Sequence, residues 1–363
     1  MDFSLWFDYL LTNHLFEKNE KYDKMQIAKN LKTAKELLET GNLVAIPTET
    51  VYGLAANAFN ETAVLNIFKV KNRPAFDPLI VHTNSLEKLS EFVTEIPEKA
   101  QILARKLMPG ALTLLLPKKD IIPDLVTSGL LKVAIRIPDH ELTLELLANL
   151  PFPLAAPSAN PFGYISPTTA QHVAAQLGNK IPYILDGGAC KVGLESTIVG
   201  FENGEAIIYR KGGISVETIE KLIGKVSIQA HSSSNPQAPG MLKSHYAPKT
   251  KFLLGNITDL LQNYLQADSQ NNTSINSKIG ILSFANDKQN MLQDLLQKYT
   301  NISFVHEILS PTQDFSEAAQ NLFAAMRRLD NAGLAMIFAE LLPERDLGSA
   351  MNDRLRRAAA EEK

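Results

Sequence analysis

Eight short apolar runs between Leu43 and Arg210 constrain the fold of this chain more than any other feature: LVAI (43–46), LIVH (79–82), LTLLLP (112–117), VAIRI (133–137), FPLAAP (152–157), YILDGG (183–188), STIVGF (196–201) and AIIYR (206–210). Each is bounded by glycine, proline or charge and is too short for a helix, so each reads as a strand. Helical spacing fits between some of them, at 61–70, 98–107, 140–149 and 168–177, whereas ENGE joins the last two runs as an antiparallel hairpin. The expectation is an α/β fold whose sheet is twisted and mixed, with flanking helices, and not purely doubly wound. Ahead of it, Ile27, Leu31, Ala34, Leu37 and Leu38 recur at helical spacing from Met25 to Thr40, with Gly41 as the C-terminal cap.

After Gly224 the composition shifts to AHSSSNPQAPGMLKSHYAPKT (230–250), which reads as a linker. From Lys251 strands and helices alternate strictly: KFLLG, a helix near 257–266, KIGILSF, a helix near 288–298, ISFVHEIL, a helix near 314–329, then LAMIFAE. That is a smaller, parallel, Rossmann-like α/β domain. It has no G-x-G-x-x-G after its first strand, so dinucleotide binding is not indicated. ADSQNNTSINSK (267–278) reads as a polar, mobile loop. The chain thus divides into an N-terminal extension (1–23), a first domain (24–228), a linker (229–250) and a second domain (251–363).

Lysine plus arginine number 36 against 39 acidic residues, so the net charge of -3 exerts no global pull on nucleic acid or anionic lipid. Any anion site must be a local cluster. The single cysteine, Cys190, excludes an intrachain disulfide and a multi-cysteine zinc site, and fits a reducing cytoplasm. No run approaches the roughly 20 apolar residues of a membrane span, and MDFSLWFDYLL lacks the basic region and cleavage site of a signal peptide. The expectation is a cytoplasmic protein with no membrane contact.

KVKNRP (69–74) is one such local cluster, with Lys69, Lys71 and Arg73 at a helix end and Pro74 stopping it. Cations there can serve the helix dipole, but Lys71 and Arg73 lie where that benefit fades, and an arginine fork on a stiff loop suits phosphate or carboxylate. APSANPFGYISPTTA (156–170) gathers Ser158, Asn160, Ser166, Thr168 and Thr169 at the approach to a helix. It reads either as a phosphate cradle or as a cap by Ser166 with Pro167 at N1. Thr48, Thr50, Tyr52, His82, Ser196, Thr197 and Arg210 sit at strand ends, and Arg136 lies inside an apolar strand. A buried Arg136 requires an anion: Glu49, Glu195 or a substrate carboxylate. His82 alone is as well explained by core packing. Phosphate-loop, kinase, nucleophile-elbow and zinc-protease motifs are all missing, so the residues themselves reach an enzyme or binder for an anionic ligand and no particular reaction.

IPTETVYGLAANA, KVKNRPAFDPLIVH, PGALTLLLP, VAIRIP, APSANPFGYISPT, LESTIVGF and YRKGGIS, in this order, closely resemble the YrdC-like domain of threonylcarbamoyl-AMP synthases. APGMLKSHYAP and the α/β segment after it resemble the linker and C-terminal domain of the long members. The resemblance implies a nucleotidyltransferase that makes L-threonylcarbamoyl-adenylate and pyrophosphate from L-threonine, bicarbonate or carbon dioxide, and ATP with Mg2+. The product would serve a separate transferase that modifies tRNA, and contact with tRNA or that transferase is a further expectation. Carried over, the L-threonine side comprises Thr50, His82, Arg136, Ala156 and Ser196. The ATP side comprises Lys71, Arg73, Asp77, Lys132, Ser158, Asn160, Ser166, Arg210 and Tyr246, with Lys71 and Arg73 as the catalytic cations and no direct protein ligand for the metal. Lys132 replaces a small hydroxyl residue and Asp77 an asparagine that are common in the family. Tyr246 would act as part of a lid. YrdC-like domains also occur in carbamoyltransferases of hydrogenase maturation, whose zinc fingers a single cysteine cannot build. A non-catalytic RNA binder is the reading from another class, disfavoured by the net charge.

Overall fold

The structure, a computed structural model, describes residues 25–229, 236–241, 245–270, 277–298 and 302–360. The expected extension at 1–23 and parts of the expected linker lie outside these residues. Two compact units partition the chain: the first runs to Phe162 and resumes at Ser166 as far as Met241, and the second holds Gly163–Ile165 and the chain from His245 onward.

In the first unit the eight apolar runs and three further strands form an 11-stranded mixed sheet. Its strands are β1 (Gln26–Ala28), β2 (Val44–Ile46), β3 (Gly53–Asn57), β4 (Ile80–His82), β5 (Leu112–Pro117), β6 (Lys132–Arg136), β7 (Leu154–Ala155), β8 (Tyr183–Leu185), β9 (Thr197–Glu202), β10 (Glu205–Arg210) and β11 (Ser227–Ile228). They lie in the order β1-β8-β2-β3-β7-β4-β6-β5-β9-β10-β11. β4 and β6 are parallel, as are β5 and β9, while β7 with β4, β6 with β5 and β9 with β10 are antiparallel. Burial on both faces explains why the central strands read as continuous apolar runs and not as alternation.

One face of this sheet, with Val81, Leu114, Val133, Ile135 and Val199, shares a core with Val64, Leu65 and Phe68 of the helix Glu61–Lys71 and Leu103 of the helix Glu98–Leu107. Each such fully buried side chain contributes about 1.5–3 kcal/mol. The other face carries a smaller apolar cluster of Ile80, Leu115, Ala134, Ile198 and Tyr209, covered by Ala238 and Met241.

Three local readings of the first unit are corrected. Residues 25–40 are not one helix: Gln26–Ala28 is a strand beside β8, and the helix starts at Leu31, capped by the Asn30 side chain accepting from Thr33 N at 3.2 Å. GLAAN (53–57), which is not among the eight runs read as strands, is a strand, paired antiparallel with β2. Its glycine and alanines have low strand propensity, and the flanking β2 and β7 impose the conformation. The helix Ala170–Leu177 is capped by Thr169, whose hydroxyl accepts from His172 N, and not by Ser166.

The second unit is the expected small parallel α/β domain. Its strands β12 (Phe252–Leu254), β13 (Ser277–Ser283), β14 (Ile302–Ile308) and β15 (Met336–Ala339) lie in the order β12-β15-β13-β14, all parallel. The polar loop expected at 267–278 is corrected at both ends: residues 267–270 belong to the helix Ile257–Gln270 and 277–278 open β13, while 271–276 lie outside the described residues. The last helix, Gly348–Ala358, has no counterpart in the sequence reading. Its buried face mixes Met351 and Leu355 with Asn352, Arg354 and Arg357, which blurs the apolar period.

Candidate active site

The turn after β2 is organised by one hydroxyl. Thr48 Oγ1 donates to Val51 O at 2.6 Å and accepts from the Thr50 and Val51 amides at 3.1 and 3.2 Å. Thr50 Oγ1 lies 2.8 Å from Thr48 Oγ1.

Between these threonines, Glu49 meets Arg136: Glu49 Oε1 lies 2.7 Å from Arg136 Nη2, and both side chains are buried. Glu49 Oε2 also accepts from Asp139 N at 3.1 Å. Of the partners open to Arg136, Glu49 is the one in place, while Glu195 Oε1 accepts from Ser166 Oγ at 2.6 Å. Arg136 Nε donates to Gly110 O, so Nη1 is the nitrogen these contacts leave. His82 is the cross-strand neighbour of Arg136, with its Nδ1 3.2 Å from Ile80 O. Burial, reinforced by the Arg136 charge, pushes the His82 imidazole down to about 3, so it is neutral at ordinary pH.

On the neighbouring strands Ser196 Oγ lies 2.7 Å from Thr113 Oγ1, and Arg210 donates from Nη2 to Ser196 Oγ at 3.1 Å and from Nε and Nη2 to Ser196 O. Strand alternation and register put His82, Arg136, Thr113 and Ser196 on the sheet face that carries Ile80, Ala134, Leu115 and Ile198. This face is therefore polar at one end and apolar along its floor. Lys132 shares the face but sits at the other end of β6 from Arg136, where its Nζ donates to Glu202 Oε1 at 3.2 Å. The structure does not bring its side chain to the polar end.

A second wall forms around Lys71. The helix Glu61–Lys71 ends in the left-handed residue Asn72, which turns the chain so that Lys71 points inward and is 1% exposed. Lys71 Nζ donates to Ser158 O at 2.6 Å and Asn160 O at 2.5 Å. These bonds tie KNR to SAN directly. Desolvation, then the charge of Arg73, holds the Lys71 ammonium well below the usual lysine range, with Asp77 opposing. Arg73 donates from Nε to Asp77 O and from Nη2 to Pro78 O, pairs with Asp77 Oδ2 at 3.0 Å and lies over the Phe162 ring. Asp77 thus orients Arg73 within the turn that feeds β4. The two walls share a frame: Gly53 bridges Ser158, Ala159 N donates to Tyr52 O, and Ala156 N donates to Ile80 O.

Tyr246 belongs to the second unit, where its ring stacks on Phe323 at 5.5 Å and the Arg354 and Arg357 guanidiniums lie over it. The sequence reading did not single out Thr113 or Phe162. An isolated hydroxyl inside LTLLLP was the available signal for Thr113; Phe162 had none.

Comparison with known proteins adds a chemical context to this geometry. Residues 36–212 match a family model described as "Telomere recombination", and residues 214–360 match "Threonylcarbamoyl-AMP synthase, C-terminal domain". The chain is 39% identical over 337 residues to a threonylcarbamoyl-AMP synthase of Pyrococcus abyssi, covering 91% of this chain and 94% of the relative. It is 37% identical over 335 residues to the Bacillus subtilis threonylcarbamoyl-AMP synthase, covering 90% and 92%. Its structure resembles the crystal structure of P. abyssi Sua5 complexed with L-threonine, with a TM-score of 0.79 at 36% identity over 92% of this chain and 97% of that one.

Proposed function

Since the chain belongs to the threonylcarbamoyl-AMP synthase family, a family of nucleotidyltransferase-type enzymes, we propose that its first unit condenses L-threonine, bicarbonate or carbon dioxide, and ATP into L-threonylcarbamoyl-adenylate, with release of pyrophosphate. The observation that carries this reading is the two-ended sheet face, with Arg136, His82 and Ser196 at one end and the floor of Ile80, Ala134, Leu115 and Ile198 beside them. The polar end suits threonine. Arg136 Nη1 meets its carboxylate while Glu49 fixes the guanidinium, and the Thr50 hydroxyl, next in sequence to Glu49, hydrogen-bonds its amine or hydroxyl. The apolar floor suits the flat face of adenine once Ala238 and Met241, which cover it, give way. Lys71 and Arg73, with the backbone of the SAN loop, provide the positive frame for the phosphates.

In the reaction the neutral threonine nitrogen first attacks the carbon of carbon dioxide, or of bicarbonate with loss of water, forming the C–N bond of a carbamate and releasing a proton from the nitrogen. A carbamate oxygen then attacks the α-phosphorus, the bond to the β-phosphate bridging oxygen breaks, and pyrophosphate departs. Cations fixed before the reaction stabilise charge as it builds, without reorganising. The Ser166 hydrogen goes to Glu195, so Ser166 would orient that carboxylate unless ATP redirects it. Asp77 faces Arg73, a poor fit to a metal ligand, so magnesium would arrive on the ATP phosphates as part of the substrate. The adenylate would pass to a transferase acting on tRNA.

Incubating the protein with ATP, magnesium, bicarbonate and threonine tests this: threonine-dependent pyrophosphate release with a product of threonylcarbamoyl-adenylate mass is expected. Equal product from serine and glycine, or none from threonine, would overturn the reading.

A further inference from the structure

The last helix of the second unit turns two arginines onto one tyrosine. The Cζ atoms of Arg354 and Arg357 lie 5.2 and 4.8 Å from the centre of the Tyr246 ring. His245 meets that ring edge-on at 4.2 Å, and its backbone N donates to Arg357 O. Tyr246, Arg354 and Arg357 are 1%, 0% and 2% exposed. Asp353 supplies the opposing charge, with Oδ2 2.8 Å from Arg354 Nη1 but 3.6 Å from Arg357 Nη1.

Two guanidiniums thus share one carboxylate, and Arg354 holds the closer part of it. Arg357 is left with the charge contact but no hydrogen-bond acceptor on Nε, Nη1 or Nη2, although all three atoms are closed to solvent. An aromatic face steadies a guanidinium without satisfying its N–H groups, and returns less than removing the cation from water costs. A planar fork backed by a ring keeps its donors in its own plane, the arrangement that takes two oxygens of one anion.

We propose that Arg357, backed by Tyr246 and Arg354, is a binding site for an oxyanion of the phosphate class, built from residues other than those of the sheet face. It rests on the second unit's own geometry and not on the reaction assigned to the first.

The test is hydrogen–deuterium exchange of the full chain in sodium phosphate or sodium pyrophosphate, against sodium chloride at equal ionic strength. At ten times the dissociation constant of the anion, opening of its site is suppressed about tenfold. Exchange in peptides covering 245–247 and 348–358 is therefore expected to slow by about that factor in the wild type and to be insensitive to either anion in Arg357→Leu. No anion-specific slowing of those peptides in the wild type overturns the proposal even if the variant fails to fold, as does slowing retained in a folded variant. Adenylate synthesis measured in parallel separates this from the reading of the first unit: loss of the protection with synthesis intact sinks the oxyanion site alone.

Discussion

Glu49 and Arg136 form a buried ion pair at 2.7 Å that joins the turn after β2 to the end of β6. It couples the position of Thr50, the next residue, to that of the guanidinium proposed to hold the substrate carboxylate. Glu49→Gln leaves Arg136 buried beside an amide and should cost about 3–5 kcal/mol. Glu49→Gln/Arg136→Met should cost distinctly less, because no stranded charge remains. Urea denaturation of the three proteins checks this, and equal losses in the single and double variants would show that the pair is not coupled.

Arg73 is held by Asp77 as firmly as by the turn itself, which alters what its removal does. Arg73→Ala should lower adenylate formation by at least about 10²-fold, and should also destabilise the first unit, since Asp77 loses its cation. Arg73→Ala/Asp77→Asn should regain most of that stability and none of the activity. Recovery of turnover in the double variant would place Arg73 outside the chemistry.

The His82 imidazole, pushed down to about 3 by burial, makes stability depend on pH with a definite sign. Between the ordinary histidine value of about 6.5 and about 3, only the unfolded chain takes up this proton. Each unit of acidification in that window should therefore remove about 1.4 kcal/mol, with no contribution above it. His82→Gln should flatten this part of the profile in denaturation curves measured from pH 7 to 4, and an unchanged slope would assign the dependence to other groups.

Gly212 lies against the backbone that presents Ser196. A Cβ there would fall 2.2 Å from Glu195 O and 2.5 Å from Ser196 C, closer than atoms can approach. Gly212→Ala should cost about 1–3 kcal/mol through backbone displacement. It should also raise the KM for threonine, because Ser196 moves with the strand start. A thermal melt and threonine titration check both, and a variant with wild-type KM would remove Ser196 from the threonine end.

Much of the fold was legible because strands buried on both faces announce themselves as apolar runs, as LTLLLP and VAIRI do. GLAAN was not, since its strand character comes from its neighbours, and neither was Gly348–Ala358, whose buried face includes Asn352, Arg354 and Arg357. Legibility of the site divides similarly. That Arg136 needs an anion follows from its setting in VAIRIP; that the anion in place is Glu49 follows only from the turn that Thr48 builds. The join between KNR and SAN could not be read at all, because Lys71 reaches main-chain carbonyls, which have no signature in a sequence.

Gly163–Ile165 belong to the second unit although the chain on both sides of them belongs to the first. Ala247 N donates to Gly163 O, Tyr164 Oη to Asp330 Oδ2, and Arg327 Nη2 to Ile165 O. A gene cut at the linker would therefore not yield two self-sufficient products. The C-terminal fragment would lack three residues of its own fold, and the N-terminal one would carry them with nothing to dock against. A transplant of the second unit must accordingly bring along a tripeptide far upstream of the apparent seam.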